Sequence, residues 1–113
     1  MLERRLRKIN ELIQRFVGEM LRRELDTDAL VTVSSVATSG NGQDCTIGIS
    51  VFPFEKSPEV FKQIQKQVYE FQQTLNRGLA MRPVPKITFK LDESEEKGGR
   101  ILREIDNLTS PDG

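Results

Sequence analysis

Leu2, Leu6, Ile9, Ile13, Phe16, Val17, Met20 and Leu21 recur at spacings of three and four along the chain. That spacing puts them on one face of a helix. The polar cluster Leu25-Asp26-Thr27-Asp28 ends the pattern. Gly18 is a weak point inside it, worth about 1 kcal/mol against Ala. The period then changes from helical to alternating. Val31-Thr32-Val33-Ser34-Ser35-Val36 is a β-branched run whose alternation slips by one at Ser34-Ser35, the mark of a bulge. Ser39-Gly40-Asn41-Gly42-Gln43 is a turn, and Cys45, Ile47, Ile49 and Val51 alternate with Thr46, Gly48, Ser50 and Phe52 beyond it. Two alternating runs around a Gly/Asn turn predict an antiparallel hairpin.

Pro53 closes the hairpin. Ser57-Pro58-Glu59 opens a second helix, with Ser57 as N-cap and Pro58 at the first helical position. Val60, Ile64, Val68, Phe71, Leu75 and Leu79 keep helical spacing to about residue 80, where Pro83 and Pro85 stop it. Ile87, Phe89 and Leu91 alternate with Thr88 and Lys90 as a third strand. Beyond it runs a charged tail, 93–113, in which Ile101, Ile105 and Leu108 share a face and predict a short helix over 100–108. The order is α-β-β-α-β plus a tail. Two amphipathic helices over one face of a three-stranded sheet make a two-layer α+β domain. The crossover through the second helix is right-handed if the strands it joins are parallel.

A chain of 113 residues supports one domain, placed at 1–92, with one modest core. No apolar run approaches the roughly 20 residues of a membrane span. The opening Met1-Leu2-Glu3-Arg4-Arg5 has no apolar segment and no small-residue cleavage site, so no signal peptide is expected. One cysteine and no histidine fit a reducing cytoplasm and argue against a zinc site or a histidine base. Cys45, in the inward register of its strand, reads as an inert core residue. No cofactor is implied, and no membrane or DNA partner. An enzyme is a distant reading, because no activated nucleophile pair or phosphate-cradling loop stands in the right context.

Net charge is zero, but its distribution is not even. Residues 1–23 carry seven Lys/Arg against three Glu, a net of +4. Residues 60–90 carry six against Glu70 alone, a net of +5. Residues 24–59 sum to −5 and residues 91–113 to −4. A polyanion senses the local patch within a Debye length of about 8 Å, not the total.

Three stretches resemble the ribosome-binding factor A family. The basic opening Arg4-Arg5-Leu6-Arg7-Lys8-Ile9-Asn10 heads a helix continuing to Leu25. Leu25-Asp26-Thr27-Asp28-Ala29-Leu30-Val31-Thr32-Val33-Ser34-Ser35-Val36 resembles that family's exit into its first strand. Leu79-Ala80-Met81-Arg82-Pro83-Val84-Pro85-Lys86-Ile87-Thr88-Phe89-Lys90-Leu91-Asp92 resembles its basic helix end, Val-Pro step, Phe-containing strand and Asp. The order and spacing of the three carry the resemblance, which spans roughly residues 3–108. It implies a type II KH-like fold and binding to the 30S subunit and 16S rRNA. It further implies a role in late maturation, including 5′-end processing, without catalysis, for a protein monomeric when free. One departure stands out. The family's helix is usually interrupted at a small-residue Ala-x-Gly step, which falls here near Gln67-Val68-Tyr69, residues that continue the helical pattern.

The candidate RNA-binding residues are Arg4, Arg5, Arg7, Lys8, Arg15, Arg22 and Arg23 on the first helix, and Lys66, Arg77, Arg82, Lys86 and Lys90 in the second basic block. By itself a charge run reads first as a solvated helix face. Arg77 and Arg82 also suit a helix C-terminus electrostatically, and Lys86 and Lys90 could protect an edge strand. The resemblance tips the N-terminal set towards phosphate contact. Asn76-Arg77-Gly78 and Gly98-Gly99-Arg100 read as ordinary structural glycines, and Glu93, Glu95 and Glu96 as a solvated run rather than a metal site. Phe52 reads as a core or strand-end residue and Phe54 as a weak stacking candidate. The alternative function is a protein–protein module whose basic residues only solubilise it.

Overall fold

The computed structural model of the chain describes residues 2–93, with the backbone alone at Leu2. The elements are α1 (Leu2–Glu24), β1 (Leu30–Thr38), β2 (Asp44–Phe52), α2 (Ser57–Gly78) and β3 (Lys86–Leu91), with a 3-10 turn at Phe54–Lys56. The expected order α-β-β-α-β is the observed one. The tail from residue 94, including the short helix expected over 100–108, lies outside the described residues.

The sheet order is β1-β2-β3, with β2 central. β1 pairs β2 antiparallel, and the register shifts between Val33 and Ser35, where the alternation slips. β2 pairs β3 in parallel, Ile47 opposite Phe89. The bulge turns the hydroxyls of Ser34 and Ser35 onto the open face above Gly48. A Cβ at Gly48 would collide with the Ser35 Oγ and crowd the Ser34 Oγ at 3.0 Å. In the hairpin turn Gly42 takes φ +74°, a conformation that favours glycine. The Ser39 hydroxyl donates to Asn41 Oδ1 at 2.6 Å and accepts from the Asp44 N–H at 3.0 Å.

One face of the sheet carries the core. Ile13, Val17, Met20 and Leu21 from α1 and Val60, Ile64, Phe71 and Leu75 from α2 pack over Val33, Cys45, Ile47, Ile49, Val51, Ile87 and Phe89. Phe71 meets Phe89 edge-on, ring centroids 6.1 Å apart. Two glutamines clamp α2 in place. Gln63 exchanges bonds with Asp26 N–H (3.0 Å) and O (2.9 Å). Gln72 donates to Pro85 O (3.0 Å) and accepts from Ile87 N–H (2.8 Å). The helices meet where Gly78 faces Phe16, and a Cβ at Gly78 would run into the Phe16 ring. Cys45 is buried in the core; burial pushes its thiol pKa up, and a bond with Thr38 partly opposes that.

One local expectation is corrected. Ser57 does not act as N-cap. The 3-10 turn already holds Lys56 in the αR region at the cap position, so Ser57 is the first helical residue. Its hydroxyl is buried without a partner. Of the two roles open to Phe52, the strand end is the one observed: it closes β2 with 68% of its surface exposed.

α1 runs unbroken through Gly18, beside which a Cβ would meet no atom within 4 Å. Gly18→Ala is therefore expected to stabilise the domain by about 0.5–1 kcal/mol. A urea midpoint that does not rise would contradict this.

Candidate nucleic-acid interface

α1 runs antiparallel to β1: the Thr38 hydroxyl donates to Asn10 Oδ1 at 2.6 Å, and Gln14 Nε2 to Val33 O at 3.4 Å. The helix N-terminus therefore lies beside the β1–β2 turn. β3 starts at the same end, Lys86 N–H donating to Gln43 O at 2.9 Å. Arg5, Leu6 and Ile9 of α1, Gly40–Gly42 of the turn, and Met81, Arg82 and Pro83 of the α2–β3 connection line a cleft of about 240 Å³. One cation from each of the two basic blocks, Arg5 and Arg82, thus lines the same cleft at one end of the fold.

All twelve candidate residues are exposed, but they do not form one patch. Arg5 and Arg82 line the cleft, Arg4, Arg7 and Lys8 stand on the same two turns of α1, and Lys86 begins β3 at that end with its side chain on the open face of the sheet. Arg82 is anchored there, its Nη1 donating to Leu79 O at 3.0 Å and Met81 O at 2.7 Å. Those bonds cap carbonyls after α2, so part of its role is structural. Arg22 and Arg23 occupy the last turn of α1, at the opposite end. Arg23 Nε pairs with Glu24 Oε1 at 3.1 Å. Arg15 stands between, flanked by Glu11 and Glu19 at helical spacing. Lys66 and Arg77 lie on the outer side of α2, and Lys90 on the open face of the sheet.

The helix dipole separates these groups further. Cations in a last turn are favourable by about 0.3–1 kcal/mol, and cations in a first turn are unfavourable. Arg22 and Arg23 therefore have a structural reason to be where they are. Arg4 and Arg5, beside Glu3 in the first turn of α1, have no such reason.

The opposite end differs in character. Lys56 Nζ binds Asp28 Oδ1 at 2.7 Å, which holds the Asp28 carboxyl below the usual range and raises the Lys56 ammonium. Glu55 and Asp92 flank Phe52 and Phe54 around a second cleft. Phe52 pairs with Leu30 across the strands, and both are exposed. Phe54, the weak stacking candidate, is half-buried here among acidic neighbours that would repel phosphate.

A family model described as "Ribosome-binding factor A" matches residues 5–105. The chain belongs to the ribosome-binding factor A family. It is 32% identical over 110 residues to a ribosome-binding factor A of Prochlorococcus marinus, covering 93% of this chain and 85% of that one. The Opitutus terrae protein of the same name is 29% identical over 109 residues, covering 92% and 89%. The crystal structure of ribosome-binding factor A from Thermus thermophilus superposes with a TM-score of 0.65 at 20% identity, over 76% of this chain and 93% of that one. A homology model of the Thermus thermophilus factor, fitted into a cryo-electron-microscopy map of its 30S complex, superposes at 0.61 over 74% and 91%. The fold is KH-like α+β. α2 is continuous from Ser57 to Gly78, through the residues where an interruption is usual in the family.

Two residues of the candidate surface escaped sequence reasoning. Lys62 stands four residues before Lys66 on the same exposed side, a spacing visible in the sequence. Tyr69 is 73% exposed on that side, in a position that reads only as a continuation of the helix.

Proposed function

We propose that this chain is a ribosome assembly factor that binds the 30S subunit through 16S rRNA during late maturation, including 5′-end processing, without catalysis of its own. The observation that carries the reading is a ribosome-binding factor A fold that brings Arg5 and Arg82 to one cleft, with Arg4, Arg7 and Lys8 on the same two turns of α1. Cations held on a rigid scaffold bind phosphates and release counterions. The same chemistry suits a helper that positions RNA rather than cutting it, since phosphate contacts fix register and orientation. Residues 1–92 form the binding unit in this reading. No helix among the described residues is long and apolar enough to cross a membrane, and the protein works in the cytoplasm where subunits are assembled.

Co-sedimentation with isolated 30S subunits tests it. About four phosphate contacts predict a loss of roughly a hundredfold in affinity between about 50 and 200 mM monovalent salt. Absence of binding at the lower salt would overturn the proposal. Binding indifferent to salt would favour the protein–protein module instead.

A further inference from the structure

Tyr69 is a large aromatic side chain with 73% of its surface in solvent. A single exposed apolar residue is ordinary in a soluble protein. Its surroundings make this one different. At 3.6 residues per turn, Lys62, Lys66, Tyr69 and Arg77 fall within roughly 80° of arc on α2. That arc faces away from Val60, Ile64, Phe71 and Leu75, which bury the other side of the helix. All four side chains of the stripe are exposed. Neither ion pair found among the described residues involves Lys62, Lys66 or Arg77.

The stripe runs about 22 Å along the helix from Lys62 to Arg77. Gln67-Val68-Tyr69 carry that helix through without a break. Its far end, Arg77, leads into the connection that bears Arg82 and lines the basic cleft. Cations lie along the helix before and after the Tyr69 ring, Lys62 and Lys66 on one side and Arg77 about 12 Å beyond. Between Lys62 and Arg77 the one carboxylate is Glu70, beside Tyr69. An aromatic face so placed is a pattern that receives single-stranded nucleic acid, where a base stacks and neighbouring phosphates find ammonium or guanidinium groups. A duplex offers no free base face to such a side chain.

We infer that the outer face of α2 is a single-stranded RNA contact, in which an unpaired base stacks on Tyr69 and the flanking phosphates are held by Lys62, Lys66 and Arg77. The inference deepens the proposed function by naming a second contact and the state of the RNA bound there. It rests on that reading for the identity of the RNA, not for the chemistry.

The chain contains one tyrosine and no tryptophan, so its intrinsic fluorescence reports on Tyr69 alone. Adding a single-stranded oligoadenylate is expected to quench that emission, whereas a blunt RNA duplex of equal length leaves it nearly unchanged. Tyr69→Ala is expected to weaken association with 30S subunits about 5- to 150-fold, the range for losing one stacked base, without moving the urea midpoint. Tyr69→Phe keeps the ring and is expected to bind like the parent. Lys66→Ala or Arg77→Ala lowers the salt slope by about 0.7 for a single-stranded phosphate contact; Tyr69→Ala does not. If Tyr69→Ala binds 30S subunits like the parent, the stacking contact is overturned while the proposed function stands. Tyr69→Phe failing as badly as Tyr69→Ala would point to the hydroxyl and overturn stacking. Loss of 30S binding in Tyr69→Ala with no quenching by oligoadenylate would assign the face to a protein contact, again against the inference. Quenching by oligoadenylate in a chain that never binds 30S subunits would keep the stacking site and remove the proposed function.

Discussion

Replacing Arg4, Arg5 and Lys8 together by Glu is expected to weaken 30S association by about a hundredfold or more near physiological salt, since each lost phosphate contact removes close to one unit of salt slope. The same triple substitution is expected not to destabilise the fold. Arg4 and Arg5 stand at the positive end of the α1 dipole, where each is unfavourable. Carboxylates there gain about 0.3–1 kcal/mol apiece. All three side chains are exposed and make no bond to the rest of the described chain that their removal would orphan. Binding and stability should therefore move in opposite directions. The control is Arg22→Glu with Arg23→Glu at the other end of the same helix. There the dipole favours cations, and Arg23 also loses its 3.1 Å pair with Glu24. That pair of changes should lower stability by about 0.3–1 kcal/mol per residue and leave 30S association within a few-fold. Sedimentation and urea titration on both variants decide the matter. Equal losses of binding from the two ends would mean that overall charge governs, and that the cleft end has no special role.

Why the two ends differ could not be seen along the chain. Blocks 1–23 and 60–90 are both basic in sequence, but whether they meet depends on the direction of each helix over the sheet. Asn10 bonding to Thr38, and Lys86 to Gln43, bring Arg5 and Arg82 to one cleft. No local pattern encodes that. Arg22 and Arg23 sit in the same basic block as Arg5, yet a helix of 23 residues carries them about 25 Å away.

The strands were more legible, because period-two parity survives folding. The slip at Ser34-Ser35 is a real register shift. Lys86 and Lys90 are exposed and Ile87 and Phe89 buried, as alternation requires. Parity also held the correct placement of Phe52. It shares its face with Thr46 and Ser50, the open side of the sheet, and of the two roles its hydrophobicity left open it takes the strand end. Ser57 did mislead. A Ser before Pro-Glu is a good cap in an extended approach, but Pro53 to Lys56 enter the helix through a 3-10 turn. The capping geometry is then lost.

Ile47→Ala is expected to remove about 2–5 kcal/mol from the unfolding free energy, the range for deleting a buried aliphatic side chain. Ile47 is 0% exposed and lies on the central strand, opposite Val36 on β1 and Phe89 on β3. Ladders on both sides fix its backbone, so the walls of the new void cannot close by sliding the strand. α2 above it is clamped through Gln63 and Gln72, which limits collapse from that direction. A cavity that cannot relax places the cost towards the upper part of the range. A domain of this kind has about 5–15 kcal/mol in total, so the loss is a large fraction of it. Thr46→Ala, one residue earlier on the open face, should change stability by no more than about 0.5 kcal/mol. Urea denaturation compares the two, with the slope expected to stay constant because the surface exposed on unfolding is nearly the same. Should Thr46→Ala prove the costlier change, the helices would have to cover the other face of the sheet. Lys86 and Lys90 would then be buried under them, and Phe89 would face solvent.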